Sequence, residues 1–200
     1  MSIETKKIVI AICGASGSIY ATRLLQALLV QPVQVHLIIS DAGAQVMAQE
    51  LDLLPTGLLE KIKKEVAFHP DATLELFDVH TFFAPPASGS FLHDGMVVVP
   101  CSMKTLACIA SGIADNLILR CADVCLKEKR RLIIVPRETP LNTIHLNNML
   151  QAATAGAVLL PAMPSFYSDP QTIEDVVDTV VARILDHLTI PHELVPRWEG

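Results

Sequence analysis

Residues 8–18 read Ile-Val-Ile-Ala-Ile-Cys-Gly-Ala-Ser-Gly-Ser, an apolar run that stops at a turn of small residues. No bulky side chain keeps a ligand from the backbone there. The amphipathic stretch 19–29 begins directly afterwards, so a helix points its free amides back into the turn. Unpaired amides and the helix dipole both favour negative charge, which makes this a seat for an anion, most often the phosphate of a nucleotide-type cofactor. The Gly14-Ala15-Ser16-Gly17 spacing is neither a dinucleotide fingerprint nor a P-loop, and no Gly-Lys-Ser/Thr follows.

Three other strand exits carry polar residues: Ser40, then Ser102-Met103-Lys104-Thr105, then Arg137-Glu138. Ser and Thr in such places also serve as helix N-caps, and for Ser102 and Thr105 both readings stand. Four such exits together favour a ligand site for a phosphate and a flat ring. Charged residues make up only 18% of the chain, so their placement is informative. Arg120 and Lys127 are seven apart on one helix and share a side. The run Lys127-Glu128-Lys129-Arg130-Arg131 also reads as a solvated helix end, a description that suits Lys129 to Arg131 better than Lys127. Arg137-Glu138 follows a buried strand, where a plain surface pair would be out of place. Glu50 sits late in an apolar helix and, taken alone, reads as exposed. Tyr167 lies at a strand-to-loop exit and fits a core or lid role equally well, while Arg183 reads as a surface residue of the last helix.

The elements that must position these groups alternate. Strands are expected at 7–13, 33–39, 74–79, 96–99, 132–135 and 157–160. Helices are expected at 18–29, 42–53 (stopped by Pro55), 57–64, 104–111, 115–128, 142–155 and 172–187. The two adjacent prolines make 84–90 a loop. This alternation predicts a single α/β domain over 1–200, Rossmann-like or flavodoxin-like, its parallel sheet flanked by helices on both faces. Ligands of such sheets lie beyond the carboxyl ends of the strands.

With 51% hydrophobic residues, 4% aromatics and a mean hydropathy of +0.44, the chain carries more apolar surface than one monomer needs, which predicts burial between subunits. No apolar stretch reaches the roughly 18 residues of a membrane span. Residues 1–7 do not form a signal peptide, so a cytoplasmic protein is expected. A net charge of −6 argues against nucleic acid. The five cysteines show neither a disulfide framework nor a zinc spacing; they read as buried free thiols, with His36 a structural residue inside a strand.

Cys13-Gly14-Ala15-Ser16-Gly17, residues 84–90, Pro100-Cys101-Ser102 with Thr105-Leu106, Ala122-Asp123-Val124 with Leu126-Lys127-Glu128, residues 135–140 and Pro196-Arg197-Trp198 together resemble the UbiX-type flavin prenyltransferases, in order over nearly the full chain. The resemblance implies a metal-independent enzyme that joins a dimethylallyl group, from dimethylallyl phosphate, to N5 and C6 of reduced flavin mononucleotide (FMN). The product, prenylated FMN, would serve a UbiD-type decarboxylase, often in ubiquinone biosynthesis. It further implies FMN on Gly14, Ala15, Ser16, Ser40, Ser102, Met103, Lys104, Thr105 and Arg137. The prenyl phosphate would meet Lys127, Tyr167 and Arg183 with Arg120 close by, and Ser16, Glu50 and Glu138 would handle protons. Phe82 stands where relatives can carry Trp and would offer a weaker π face to an allylic cation, and Trp198 would join the substrate side. The family's site forms between subunits, commonly in a homododecamer.

Two alternatives compete. A flavin-dependent cysteine decarboxylase of the same fold would carry a catalytic His and a Pro-Ala-Ser-Ala-Asn-Thr segment, and this chain has Pro100-Cys101-Ser102-Met103-Lys104-Thr105 in its place. A non-catalytic FMN-binding protein would have lost the phosphate-side residues, whereas Lys127, Glu138, Tyr167 and Arg183 are all present.

Overall fold

The structure is a computed structural model and describes residues 5–197. Its strands are β1 (Lys6–Ile12), β2 (Val33–Ile39), β3 (Thr73–Asp78), β4 (Gly95–Cys101), β5 (Leu132–Pro136) and β6 (Val158–Leu159). They alternate with helices α1 (Ser18–Leu29), α2 (Asp41–Leu51), α3 (Pro55–Glu65), α4 (Met103–Ala110), α5 (Leu117–Lys127), α6 (Thr143–Thr154) and α7 (Ile173–Leu188). The strands form one parallel sheet in the order β3-β2-β1-β4-β5-β6. Trp198 lies outside the described residues.

β1 shows why its sequence is uniformly apolar. Ile8, Ile10 and Ile12 face a layer built from α1, α2, α3 and α7, whereas Val9, Ala11 and Cys13 face α4, α5 and α6. With both faces covered, alternation has no reason to appear. The order reverses between β1 and β4: the chain leaves β1 toward the α1 layer and β4 toward the α4 layer. Ligands of such sheets bind in the crevice beyond the strand ends at that switch point, here between β1 and β4.

Several boundaries differ from expectation, each for a local reason. β4 runs through Pro100 to Cys101 instead of ending at Val99. The proline has no amide to pair, but its carbonyl accepts from the Cys13 amide at 3.2 Å, and the β4–β5 register shifts between Val98 and Cys101 to absorb it. α2 stops at Asp52, which takes a left-handed conformation with φ 49°, so Pro55 opens α3 instead of closing α2. Within loop 84–90, Pro85–Ala87 forms one 3-10 turn.

Candidate active site

The turn after β1 is closed from within. Gly17, at φ 109°, caps α1 in a conformation that a side chain would strain. The Glu50 carboxylate accepts from the Gly17 amide at 3.0 and 3.1 Å and from the Ser18 amide at 2.8 Å. The Ala15 amide is spent on the Cys13 carbonyl at 2.9 Å. The anion seat expected for an external phosphate therefore already holds an internal anion: Glu50 is exposed, as read from the sequence, but its carboxylate is engaged. Partial burial pushes the Glu50 carboxyl up, but hydrogen bonds from the Ser16 hydroxyl and from the Ser18 and Gly17 amides outweigh it and hold the group below the ordinary carboxylate range.

The neighbouring exits stay equipped for an anion. Ser40 caps α2 by accepting from the Gly43 amide at 3.0 Å, and Ser102 caps α4 by accepting from the Thr105 amide at 3.3 Å. Capping and ligand binding do not compete here. A capping hydroxyl uses a lone pair and keeps its proton to donate. Ser102 and Thr105 also share a hydroxyl–hydroxyl bond of 3.1 Å, so one proton of that pair remains. Gly14 lets this end of the sheet close up, because a Cβ there would come within 2.5 Å of the Ala42 Cβ. Arg137 reaches back across the crevice, its Nε donating to the Ser16 carbonyl at 3.1 Å; it makes no ion pair with Glu138, which accepts instead from the Thr139 amide at 3.0 Å. The thiols beside the crevice are inert: burial pushes Cys13 up to about 11, and Cys101 well above its usual value.

Arg120 and Lys127 do share a side of α5, and loop 84–91 lies against it. Arg120 donates through Nε to the Ala87 carbonyl at 3.0 Å and pairs with Asp123 at 2.7 Å. Lys127 pairs with Glu128 beside Gly89, where Ser88 and Ser90 join their hydroxyls at 2.8 Å. Arg130 is not a solvated helix end. It holds the loop by donating to the carbonyls of Phe91, at 2.7 Å, and Gly89.

Tyr167 and Arg183 meet elsewhere, on a cavity of about 740 Å³ that Ser165, Thr179, Asp186 and Arg197 also line. Met163 borders both it and a smaller cavity of about 280 Å³, which holds Arg137 and Glu138. The structure thus brings Arg137, Glu138, Tyr167 and Arg183 to two neighbouring cavities that share Met163. Arg120 and Lys127 belong to the opposite layer, because α5 and α7 cover different faces of the sheet. Phe82 is half-exposed in the segment that leads into loop 84–90.

The flavoprotein family model matches residues 1–185. The flavin prenyltransferase UbiX of Alkalihalophilus pseudofirmus is 48% identical over 99% of both chains. The chain belongs to the UbiX flavin prenyltransferases. Among solved structures, AnUbiX (PadA1) in complex with FMN and dimethylallyl pyrophosphate superposes with a TM-score of 0.88 at 42% identity, covering 98% of this chain and 99% of the other. A dodecameric FMN-dependent UbiX-like decarboxylase from Escherichia coli O157:H7 gives 0.86 at 41%, covering 97% and 100%.

The crevice of this family member fits FMN. The capping Ser40 keeps a donor proton, one proton remains on the Ser102–Thr105 pair, and Arg137 reaches across to the Ser16 carbonyl. Sequence reasoning gave Ser88, Ser90 and Arg197 no role beyond their place in matching motifs, read Arg130 as solvated, and passed over Asp186. Two serines around a glycine in a proline-bearing loop were the signal for the first two. Asp186 stands one turn after Arg183, the spacing of an intrahelical ion pair.

Proposed function

We propose that this chain, folded as one domain over 1–200, transfers the dimethylallyl group of dimethylallyl phosphate to N5 and C6 of reduced FMN and releases prenylated FMN. The observation that carries this reading is the full-length likeness, 42% identical, to the enzyme seen with FMN and dimethylallyl pyrophosphate. Reduced FMN supplies the electron-rich ring that is alkylated. Ser40 and the Ser102–Thr105 pair, which keeps one free proton, donate to it, Met103 and Lys104 offer first-turn amides, Gly14, Ala15 and Ser16 form the floor, and Arg137 closes the crevice. Arg120, Lys127, Arg183 and Tyr167 bind the prenyl phosphate; fixed cations and a phenol stabilise its charge as it departs. Phe82 and Trp198 flank the hydrocarbon end. Glu138, whose carboxylate carries one backbone hydrogen bond, accepts the proton lost from the ring. Ser16 and the ionised Glu50 form a second proton path.

Because α5 and α7 lie on opposite faces, the phosphate residues converge only when copies of the chain assemble, in a dodecamer like that of the E. coli relative. Exposed apolar side chains support this: Phe83 is fully exposed, and Ile144, Leu150, Phe166 and Ile173 are each at least 66% exposed. Among the described residues no helix is long and apolar enough to cross a membrane, and the described cysteines are free thiols. We place the enzyme in the cytoplasm, handing its product to a UbiD-type decarboxylase. Anaerobic incubation of the protein with reduced FMN and dimethylallyl phosphate tests the reading. A flavin heavier by one dimethylallyl unit, with a changed spectrum, is the expected product; recovery of unaltered flavin overturns it.

A further inference from the structure

Resting on the prenyltransferase reading, we infer that Asp186 is a positioning residue that ties Arg183 to the C-terminal tail and so builds the wall of the prenyl-phosphate cavity. Its carboxylate is the meeting point of two elements. From α7 itself, Arg183 donates to Oδ2 at 2.8 Å. From the tail, Arg197 donates to Oδ1 at 2.6 Å and His192 Nε2 approaches the same oxygen at 3.1 Å. All four residues line the 740 Å³ cavity. The His192 side chain is only 4% exposed and the Asp186 side chain 20%, so the centre of the cluster is packed while its guanidiniums reach outward.

The tail shows why one carboxylate matters. As far as Pro191 it is held by other groups: Lys6 donates to the Leu188 and Thr189 carbonyls, each at 2.9 Å, and Gln31 to the Pro191 carbonyl at 2.9 Å. Beyond Pro191 the polar contacts of the described tail converge on Asp186. Two guanidiniums on one carboxylate leave the cluster net positive, which suits an anionic ligand. Without the carboxylate, the same two guanidiniums repel each other, Arg183 regains its rotamer freedom, and the tail loses its tie.

Asp186→Asn keeps the shape and removes the charge. The affinity of dimethylallyl phosphate for protein loaded with oxidised FMN, measured by calorimetry, is expected to fall about tenfold, the worth of one charge-assisted contact. Asp186→Glu should recover part of it. In an Arg183→Ala background the same substitution should add little. Unchanged affinity in Asp186→Asn, or full additivity with Arg183→Ala, overturns the assignment. Wild-type protein that binds the prenyl phosphate but transfers nothing would sink the prenyltransferase reading and leave the Asp186 test decisive.

Discussion

Replacing Glu50 with glutamine tests the internally filled anion seat most directly. The carboxylate accepts from two first-turn amides of α1, at 2.8 to 3.1 Å, and from the Ser16 hydroxyl. An amide keeps one acceptor oxygen and turns a donor toward amides that are donors themselves. Loss of a helix cap costs about 1 kcal/mol, and loss of a charge at a helix N-terminus costs about 0.3–1 kcal/mol. Solvent screening trims the second figure at so exposed a site. A net loss of about 1 kcal/mol is expected, or roughly 2–4 °C in the thermal midpoint of a chain this size. The pH dependence follows from the direction of the shift. The folded carboxyl titrates below its unfolded value, so its stabilisation is complete above about pH 4.3 and disappears as pH falls through the depressed folded value. Melting of wild type and Glu50→Gln, followed by circular dichroism on flavin-free protein, should show a gap at pH 7 that closes in acid. Equal midpoints at pH 7, or a gap that ignores pH, would refute the reasoning. Turnover should also fall, and a fully active Glu50→Gln enzyme would remove the Ser16–Glu50 pair from the proton path.

Glu138→Gln should bind FMN normally and form prenylated FMN about 10²–10⁴-fold more slowly, the usual scale of a lost general base; normal single-turnover rates would exclude it. Ser16→Ala and Lys127→Ala proteins, each impaired alone, should regain activity when unfolded together and reassembled, since mixed oligomers contain sites with both residues intact. No recovery would mean that both residues serve one protomer's site. Gly89→Ala would place a methyl 2.8 Å from the Lys127 ammonium, so KM for dimethylallyl phosphate should rise while the thermal midpoint stays put. Of the five thiols, half-buried Cys108 should react first with iodoacetamide in native protein, because burial holds Cys13 near 11 and Cys121 and Cys125 near 12; early modification of Cys13 would show the crevice thiol to be activated.

Much of the scaffold was legible in the chain because its strands are buried on both faces. The continuous run 8–12 could be little else once a small-residue turn and an amphipathic helix followed it. Strand order was not legible, since apolarity records burial and not which neighbour provides it. Pro100 misled at the β4 boundary because an irregular register can absorb a proline that a regular ladder cannot. At the site, the hydroxyls beyond strand ends pointed to a ligand, with capping left open for Ser102 and Thr105; Ser40 and Ser102 do cap helices, while Thr105 supplies the amide that Ser102 accepts. The role of Glu50 was hidden: nothing in the spacing says that a carboxylate 33 residues further along folds back onto the Gly17 amide. Arg130 was hidden for a similar reason. Its basic run looks solvated in sequence, while its guanidinium is used by carbonyls of a loop 39 and 41 residues upstream.

The three cations proposed for the phosphate share a feature that explains how one chain can carry them. Arg120 pairs with Asp123, Lys127 with Glu128 and Arg183 with Asp186, each partner lying in the same helix or at its end. Before assembly Arg120 and Lys127 are thus locally neutralised, while Asp186, shared by Arg183 and Arg197, leaves the α7 cluster net positive. Such exposed or half-exposed pairs are worth little, about 0–1 kcal/mol, so rearranging them around an arriving phosphate costs little. Two of the pairs lie on α5 and one on α7, on opposite faces of the sheet. In the proposed site a dense positive pocket therefore forms where one copy presents α5 and another presents α7. In this reading that junction supplies the charge neutralisation for the departing phosphate, which makes catalysis and assembly one event. Mixed oligomers of Lys127→Ala and Arg183→Ala chains carry the argument further. Junctions in which both defects fall together leave others with the complete set, so mixing should restore turnover that neither variant has alone.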